Sequence, residues 1–290
     1  TEREGVGEAG LAGADLTVGS KEFTEQLILG HMTILVLEDA GAQVDDQTGL
    51  VGSATVREAL TSGQIDLYWE YTGTGWITHL GNTEPIPDEL EQWRAVREAD
   101  AANGVTWLSP AALNNTYAIA TNGENFEEFE VVTLSDFATF VRDNPGQATL
   151  CAAAEFLGRD DGLPGLEQHY GFDIPPQNVK ELELGIVYEA VGRADPCNFG
   201  EVFTTDGRIR AQDLVVLEDD KSFFPKYNAA LNVRTEVFEQ HPQLEELFAP
   251  LAAELTNDTM IELNSRVDVG GELPEEVAQD FLDERGLTGG

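Results

Sequence analysis

"TVREALTSGQIDLYWEYTGT", residues 55–74, decides the fold. It reads as a helix carrying "EA", a glycine turn, a strand over 64–69, and then an acid, an aromatic ring and a Thr-Gly-Thr turn. A second passage, "GIVYEAVGRADPCNFGEVFTTD" (185–206), repeats that order loosely and places Phe203 where the first has Tyr71. Two such passages in one chain predict two similar lobes, each offering a ring at the carboxyl end of a strand. Open α/β sheets bind ligands at that end.

The stretch "YWEYTGTGW" (68–76) sharpens the point, because it crowds two tyrosines, two tryptophans and Glu70 into nine positions. Tyr68 and Trp76 suit a core, whereas "EYTGT" is too polar and too turn-prone for one. A tyrosine ring edged by hydroxyls suits a guest that is both apolar and charged. Quaternary ammonium is such a guest: its methyl groups donate no ordinary hydrogen bond, so recognition rests on π-faces, at ~0.5–2 kcal/mol per contact.

Around these passages strands and helices alternate. "DLTVGS" (15–20) reads as a strand, and Ser20 as the cap of a helix with Phe23, Leu27, Ile28, His31 and Leu35 on its apolar face, stopped at Gly41. Further helices are predicted at about 86–101, 133–143, 162–170, 242–253 and 274–286. Strands are predicted near 116–121, 147–153, 199–204, 213–217 and 227–233. The pattern predicts an α/β protein with largely parallel sheets. At 290 residues the chain is long enough for two domains.

The net charge is −38, from 54 acids against 16 Lys and Arg. Such a field repels nucleic acid and anionic membrane, which argues against those partners. The acids are spread along helical segments, which suits a folded protein adapted to molar salt, where screening collapses to roughly 3 Å. "LILGHMTILVL" (27–37) is the longest apolar stretch and is too short and interrupted to span a bilayer. The opening "TEREGVGEAGLAGA" is polar and unpatterned, as a flexible stalk left after processing would be.

Cys151 and Cys197 leave two readings open: one disulfide in an exported chain, or two buried thiols in a cytosolic one. There is no CxxC, and the four histidines stand far apart, so neither a metal site nor a cofactor is expected. Nucleophile elbows, P-loops and dinucleotide fingerprints are absent too, which argues against an enzyme. Lys21 in "GSKEFTEQ" is read at the first turn of a helix, where it would oppose the macrodipole, and Arg159 in a loop before another helix. One cation per lobe, with the Thr74 hydroxyl, makes a candidate carboxylate clamp.

Five segments in order, "VGSKEFTEQLILG", "EALTSGQIDLYWEYTGTG", "EFLGRDDGLPGL", "FTTDGRI" and "LVVLEDDKSFFPKYNAAL", closely resemble the substrate-binding proteins of glycine betaine/choline-type ABC transporters. The likeness runs from about residue 15 to the closing "LNSRVDVGGELPEEVAQDFLDERG". It implies a two-lobed periplasmic-binding-protein-like fold of type II with two crossing hinge strands. Residues 1–14 would be a flexible tail, 15–120 and 228–290 lobe I, and 121–227 lobe II, hinged near "AIATN" (118–122) and "KYNAA" (226–230).

Carried over by motif, the ammonium box would be Tyr71, Tyr117, Phe203 and Tyr227, and the carboxylate clamp Lys21, Thr74 and Arg159. Two departures stand out. Phe203 replaces the tyrosine of a four-tyrosine box, and Asn115 stands where some members place Asp. Glu201, two residues before Phe203 on the same strand face, is a candidate for restoring that charge. Cys197, at the start of its strand, is expected to reach Cys151 on a neighbouring strand of the same lobe and form a disulfide, two buried thiols being the alternative. The resemblance further implies capture of glycine betaine or a related solute for osmoprotection. It implies delivery to a membrane permease by a monomer held outside the cell, tethered to its membrane. A choline- or carnitine-preferring binder is the alternative within the class, and a small-molecule transferase using the cleft the alternative outside it.

Overall fold

The computed structural model describes residues 10–84 and 86–289. Two five-stranded mixed sheets form the frame. The first runs β2 (Gln43–Leu50), β1 (Asp15–Lys21), β3 (Leu67–Tyr71), β10 (Ala229–Arg234), β4 (Val105–Trp107). The second runs β7 (Val179–Glu181), β6 (Leu150–Ala152), β8 (Phe199–Phe203), β5 (Tyr117–Asn122), β9 (Leu214–Val216). In each, the first three strands in this order are parallel and the fourth is antiparallel to its neighbours.

The fourth strand is also the one the chain supplies after crossing from the other sheet. This is the two-lobed architecture that the two similar passages predict. Both passages fold alike, as helix Ser53–Thr61 then β3, and helix Leu184–Gly192 then β8. Their terminal rings meet the crossing strand in equivalent register, Tyr71 opposite Ala229 and Phe203 opposite Tyr117.

Every residue of β3 is buried, because helices cover both faces of its sheet. Leu67, Trp69 and Tyr71 turn to the side of helix Thr24–Asp39, where Ile28, Leu29 and Met32 are buried. Tyr68 turns to the other side, against Val56, Leu60 and Val96. Each such large side chain contributes about 1.5–3 kcal/mol by leaving water. In the second lobe helix Leu184–Gly192 lies so close to β8 that a Cβ on Gly200 would meet Val191 Cγ2 at 2.4 Å.

Several expectations are corrected. The strand expected at 64–69 lies at Leu67–Tyr71, which makes Tyr71 its last residue. Ser20 and Lys21 belong to β1, not to a helix start. The helix begins at Thr24, its cap position is Phe23 without a side-chain cap, and it ends at Asp39. Residues 10–14 are not a free tail: Leu11 is buried and its N–H donates to Ala40 O (2.8 Å). The remainder of the predicted tail, 1–9, lies outside the described residues.

β5 pairs with β8 and β9 from Tyr117 onward, so 117–120 sit in the second sheet and the crossing lies before "AIATN" rather than within it. The two crossing segments meet at an antiparallel bridge between Asn114 and Asn228. Helix Asn257–Asp268 and the short strands β4 and β7 are additions to the predicted elements. Cys151 on β6 and Cys197 just before β8 are joined by a disulfide with Cα atoms 5.7 Å apart, pinning neighbouring parallel strands. Among the described residues no helix is long and apolar enough to cross a membrane.

Candidate functional site

The carboxyl ends of β3 and β8 open onto a cleft of about 960 Å³. All nine residues singled out for ligand contact line it: Tyr71, Tyr117, Phe203 and Tyr227 of the expected box, Lys21, Thr74 and Arg159 of the expected clamp, and Asn115 and Glu201. The structure thus brings the whole set together. What it adds is how each side chain is held, and that differs from the expectation in several places.

The rings form a continuous wall. Tyr117 is 5.2 Å from Phe203 and 5.6 Å from Tyr227 between centroids, the latter edge-on at 85°. Phe23, read from sequence only as a helix-face residue, closes the gap to the first lobe, 5.8 Å from Phe203 and 6.3 Å from Tyr71. It takes that place because β1 runs on to Lys21, which leaves Phe23 at the cleft instead of inside the helix. Phe156 backs Tyr117 at 5.2 Å. Tyr227 packs flat on the turn after β3: a Cβ on Gly73 would lie 2.6 Å from its ring, which is why that turn needs glycine.

Both clamp cations already carry a carboxylate. Lys21 Nζ donates to Glu70 Oε1 (2.7 Å) and lies 5.3 Å from the Tyr71 ring centroid. Glu70 is wholly buried and also accepts from Tyr71 N (2.8 Å) and Tyr68 OH (2.9 Å), with His79 Nε2 2.8 Å away. Burial by itself would raise its pKa, but Lys21 and His79 outweigh that and hold it well below the usual carboxylate range. Arg159 donates through Nε and Nη2 to Asp161 (2.6 Å each) and through Nη1 to Glu155 (2.8 Å), and sits 5.5 Å from the Tyr117 ring. Asp161 also accepts from Tyr227 OH, which ties one ring of the wall to the guanidinium.

Neither cation is exhausted. A lysine has three N–H donors and an arginine five, so two remain on each after these bonds.

Glu201 is nearly as buried as Glu70 but has one donor in contact, Ala153 N at 2.7 Å. Burial dominates, and with Glu155 nearby it pushes the carboxyl up to about 8 despite Ala153 and Arg159. The cleft lining is rich in acids: Glu22, Glu155, Glu181, Glu183, Glu201 and Asp268 against Lys21, Arg159 and Arg208. Arg208 is itself bidentate on Asp206. A cleft with twice as many acids as cations, each cation paired, is suited to a guest carrying positive charge.

Residues 14–284 match the family described as the substrate-binding domain of the ABC-type glycine betaine transport system. The chain is 41% identical over 289 residues to a glycine-betaine-binding protein of Pseudomonas aeruginosa, covering 98% of this chain and 92% of that one. It is 32% identical to an ergothioneine transport permease/ergothioneine binding protein of Helicobacter pylori, covering 94% of this chain and 48% of that one. Its fold matches the apo structure of YehZ from Escherichia coli with a TM-score of 0.73 at 31% identity, covering 96% of this chain and all of that one. With two such lobes, a ring-walled cleft at their strand ends and a match over nearly its whole length, this chain belongs to the family of substrate-binding domains of ABC-type glycine betaine transport systems.

Proposed function

We propose that this protein captures glycine betaine in the cleft between its lobes, grips the methylated nitrogen with rings from both, and delivers the solute to a membrane permease. The observation that carries the reading is the continuous wall from Tyr71 through Phe23 and Phe203 to Tyr117 and Tyr227, in a cleft dominated by acids. π-Faces attract a cation that cannot donate hydrogen bonds. The unused N–H donors of Lys21 and Arg159, with the Thr74 hydroxyl, receive the carboxylate at the other end of the same small zwitterion.

The lobes divide where the crossings meet, at Asn114 and Asn228, and rotation there closes the cleft and removes water from the pocket. Inside a dry pocket the electrostatic contacts escape screening by external salt. The net charge of −38 fits a protein working in concentrated salt, bound as a monomer to the outer face of the cell membrane. The role is that of a receptor, not an enzyme.

A longer or bulkier betaine is the second reading, and the size of the cleft favours it: about 960 Å³ lies at the upper end of small-molecule pockets. Calorimetric titration with glycine betaine, proline betaine, carnitine, choline and ergothioneine separates the readings. Saturable 1:1 binding tightest for glycine betaine is expected. Tightest binding for a larger member moves the assignment to that solute, and no heat with any of them ends the proposal.

A further inference from the structure

Glu25 belongs to neither the ring wall nor the clamp, yet it sits directly behind both. Its carboxylate is buried at the first turn of helix Thr24–Asp39. Oε1 accepts from Tyr71 OH (2.7 Å) and Asn115 Nδ2 (3.0 Å). Oε2 accepts from Thr205 Oγ1 (2.6 Å) and Asn264 Nδ2 (3.1 Å). Burial pushes the Glu25 carboxyl above its ordinary range, and the two amide groups and two hydroxyls, which fill the acceptor positions of a carboxylate, oppose that push.

All four of these partners are neutral, and the nearby ammonium of Lys21 is spent on Glu70 instead. The charge of Glu25 is therefore solvated by dipoles and lacks a counter-ion in contact. Two of the dipoles, Tyr71 and Asn115, line the cleft. Asn115 gives its amide nitrogen to Glu25 and keeps its Oδ1 buried without a hydrogen-bond partner among the described residues.

We infer that Glu25 is the counter-ion of the bound ammonium, acting at one remove through the Tyr71 hydroxyl and the Asn115 amide. A phenol that donates to a carboxylate carries more electron density on its ring, which strengthens its attraction for a cation. An amide whose nitrogen is drawn to a carboxylate is fixed in orientation, and Asn115 so held lines the cleft beside Tyr71. In a pocket freed of water a charge one side chain away is still strongly felt. Glu25 thus supplies the negative charge that an Asp at position 115 would supply by contact, and is a positioning residue rather than a contact residue. This inference rests on the ammonium reading above.

The test compares two ligands of one shape: glycine betaine and 3,3-dimethylbutanoate, in which a neutral carbon replaces the nitrogen and the carboxylate is kept. Calorimetry on the wild-type protein is expected to show a clear preference for glycine betaine. In Glu25→Gln the preference falls roughly tenfold, because glycine betaine loses affinity while the anionic analogue, which has no cation to be stabilised, does not. A purely structural role for Glu25 weakens both ligands together, and an unchanged ratio overturns the inference. Should Glu25→Gln fail to fold, Tyr71→Phe keeps the ring and removes the hydroxyl link. The ratio is expected to fall there too, and an unaltered ratio in that variant overturns the inference equally. A wild-type protein that does not prefer glycine betaine over the analogue overturns the ammonium reading itself.

Discussion

Glu70 on β3 and Glu201 on β8 occupy the central strands of two sheets built to one plan, and both are buried, yet their environments are opposite. Glu70 faces away from the cleft and is met by Lys21, Tyr68, His79 and the Tyr71 N–H. Glu201 faces the cleft and is met by one backbone N–H. Burial opposes ionisation in both; only Glu70 has the partners to overcome it. The first lobe therefore spends its buried charge on holding the strand end rigid. The second keeps a buried carboxyl at the cleft with a single backbone donor on it.

The largest expected effect breaks the rigid side. Glu70→Ala leaves Lys21 buried without its partner and should cost about 3–5 kcal/mol of stability in urea denaturation. A cost under about 1 kcal/mol would mean the ion pair is not what fixes the end of β3. Next, Cys151→Ser with Cys197→Ser removes the link between β6 and β8, a closure spanning 46 residues of sequence. The loss should be about 3 kcal/mol, and reduction of the wild type should reproduce it.

The third effect sharpens the contrast on the soft side. The Glu201 carboxyl is raised to about 8 in the folded protein from an ordinary 4.5. Between those values the unfolded chain has lost the proton and the folded one keeps it, so wild-type stability falls as pH rises through that window. Glu201→Gln should remove the decline and stabilise the protein at pH 8 by on the order of 2 kcal/mol, with no gain at pH 4. Thermal melts at the two pH values check it, and a parallel pH profile in the variant would contradict it. The smallest effect is Tyr71→Ala, expected to weaken glycine betaine binding by about 1–2 kcal/mol in calorimetry at molar NaCl. Unchanged affinity would remove Tyr71 from the wall.

The same contrast marks what the sequence shows and hides. Strand ends, the helix–strand–ring echo and the convergence of Tyr71, Phe203 and their companions are local signals, carried by turn residues and period, and by motif resemblance. Pairing is not local: Lys21 and Glu70 lie 49 positions apart, and nothing near Lys21 announces that its charge is already met. Phe23 and Glu25 were hidden in the same segment, because one further residue of strand before the helix decides which side chains reach the cleft. Helix Asn257–Asp268 leaves little trace in the sequence, since it buries only Met260, Leu263 and Asn264, too few apolar positions to make a stripe. The crossing before Tyr117 leaves no local mark, because the apolar run marks the strand itself and not its flank.

Rings from both lobes are proposed to converge on one methylated nitrogen. A crystal structure of the protein grown with glycine betaine tests it most directly. The trimethylammonium group should lie against Tyr71 and Tyr227 on one side and Tyr117 and Phe203 on the other, with its carboxylate toward Lys21 and Arg159. A solute bound outside this cleft, or one whose nitrogen touches rings of a single lobe, would contradict the account.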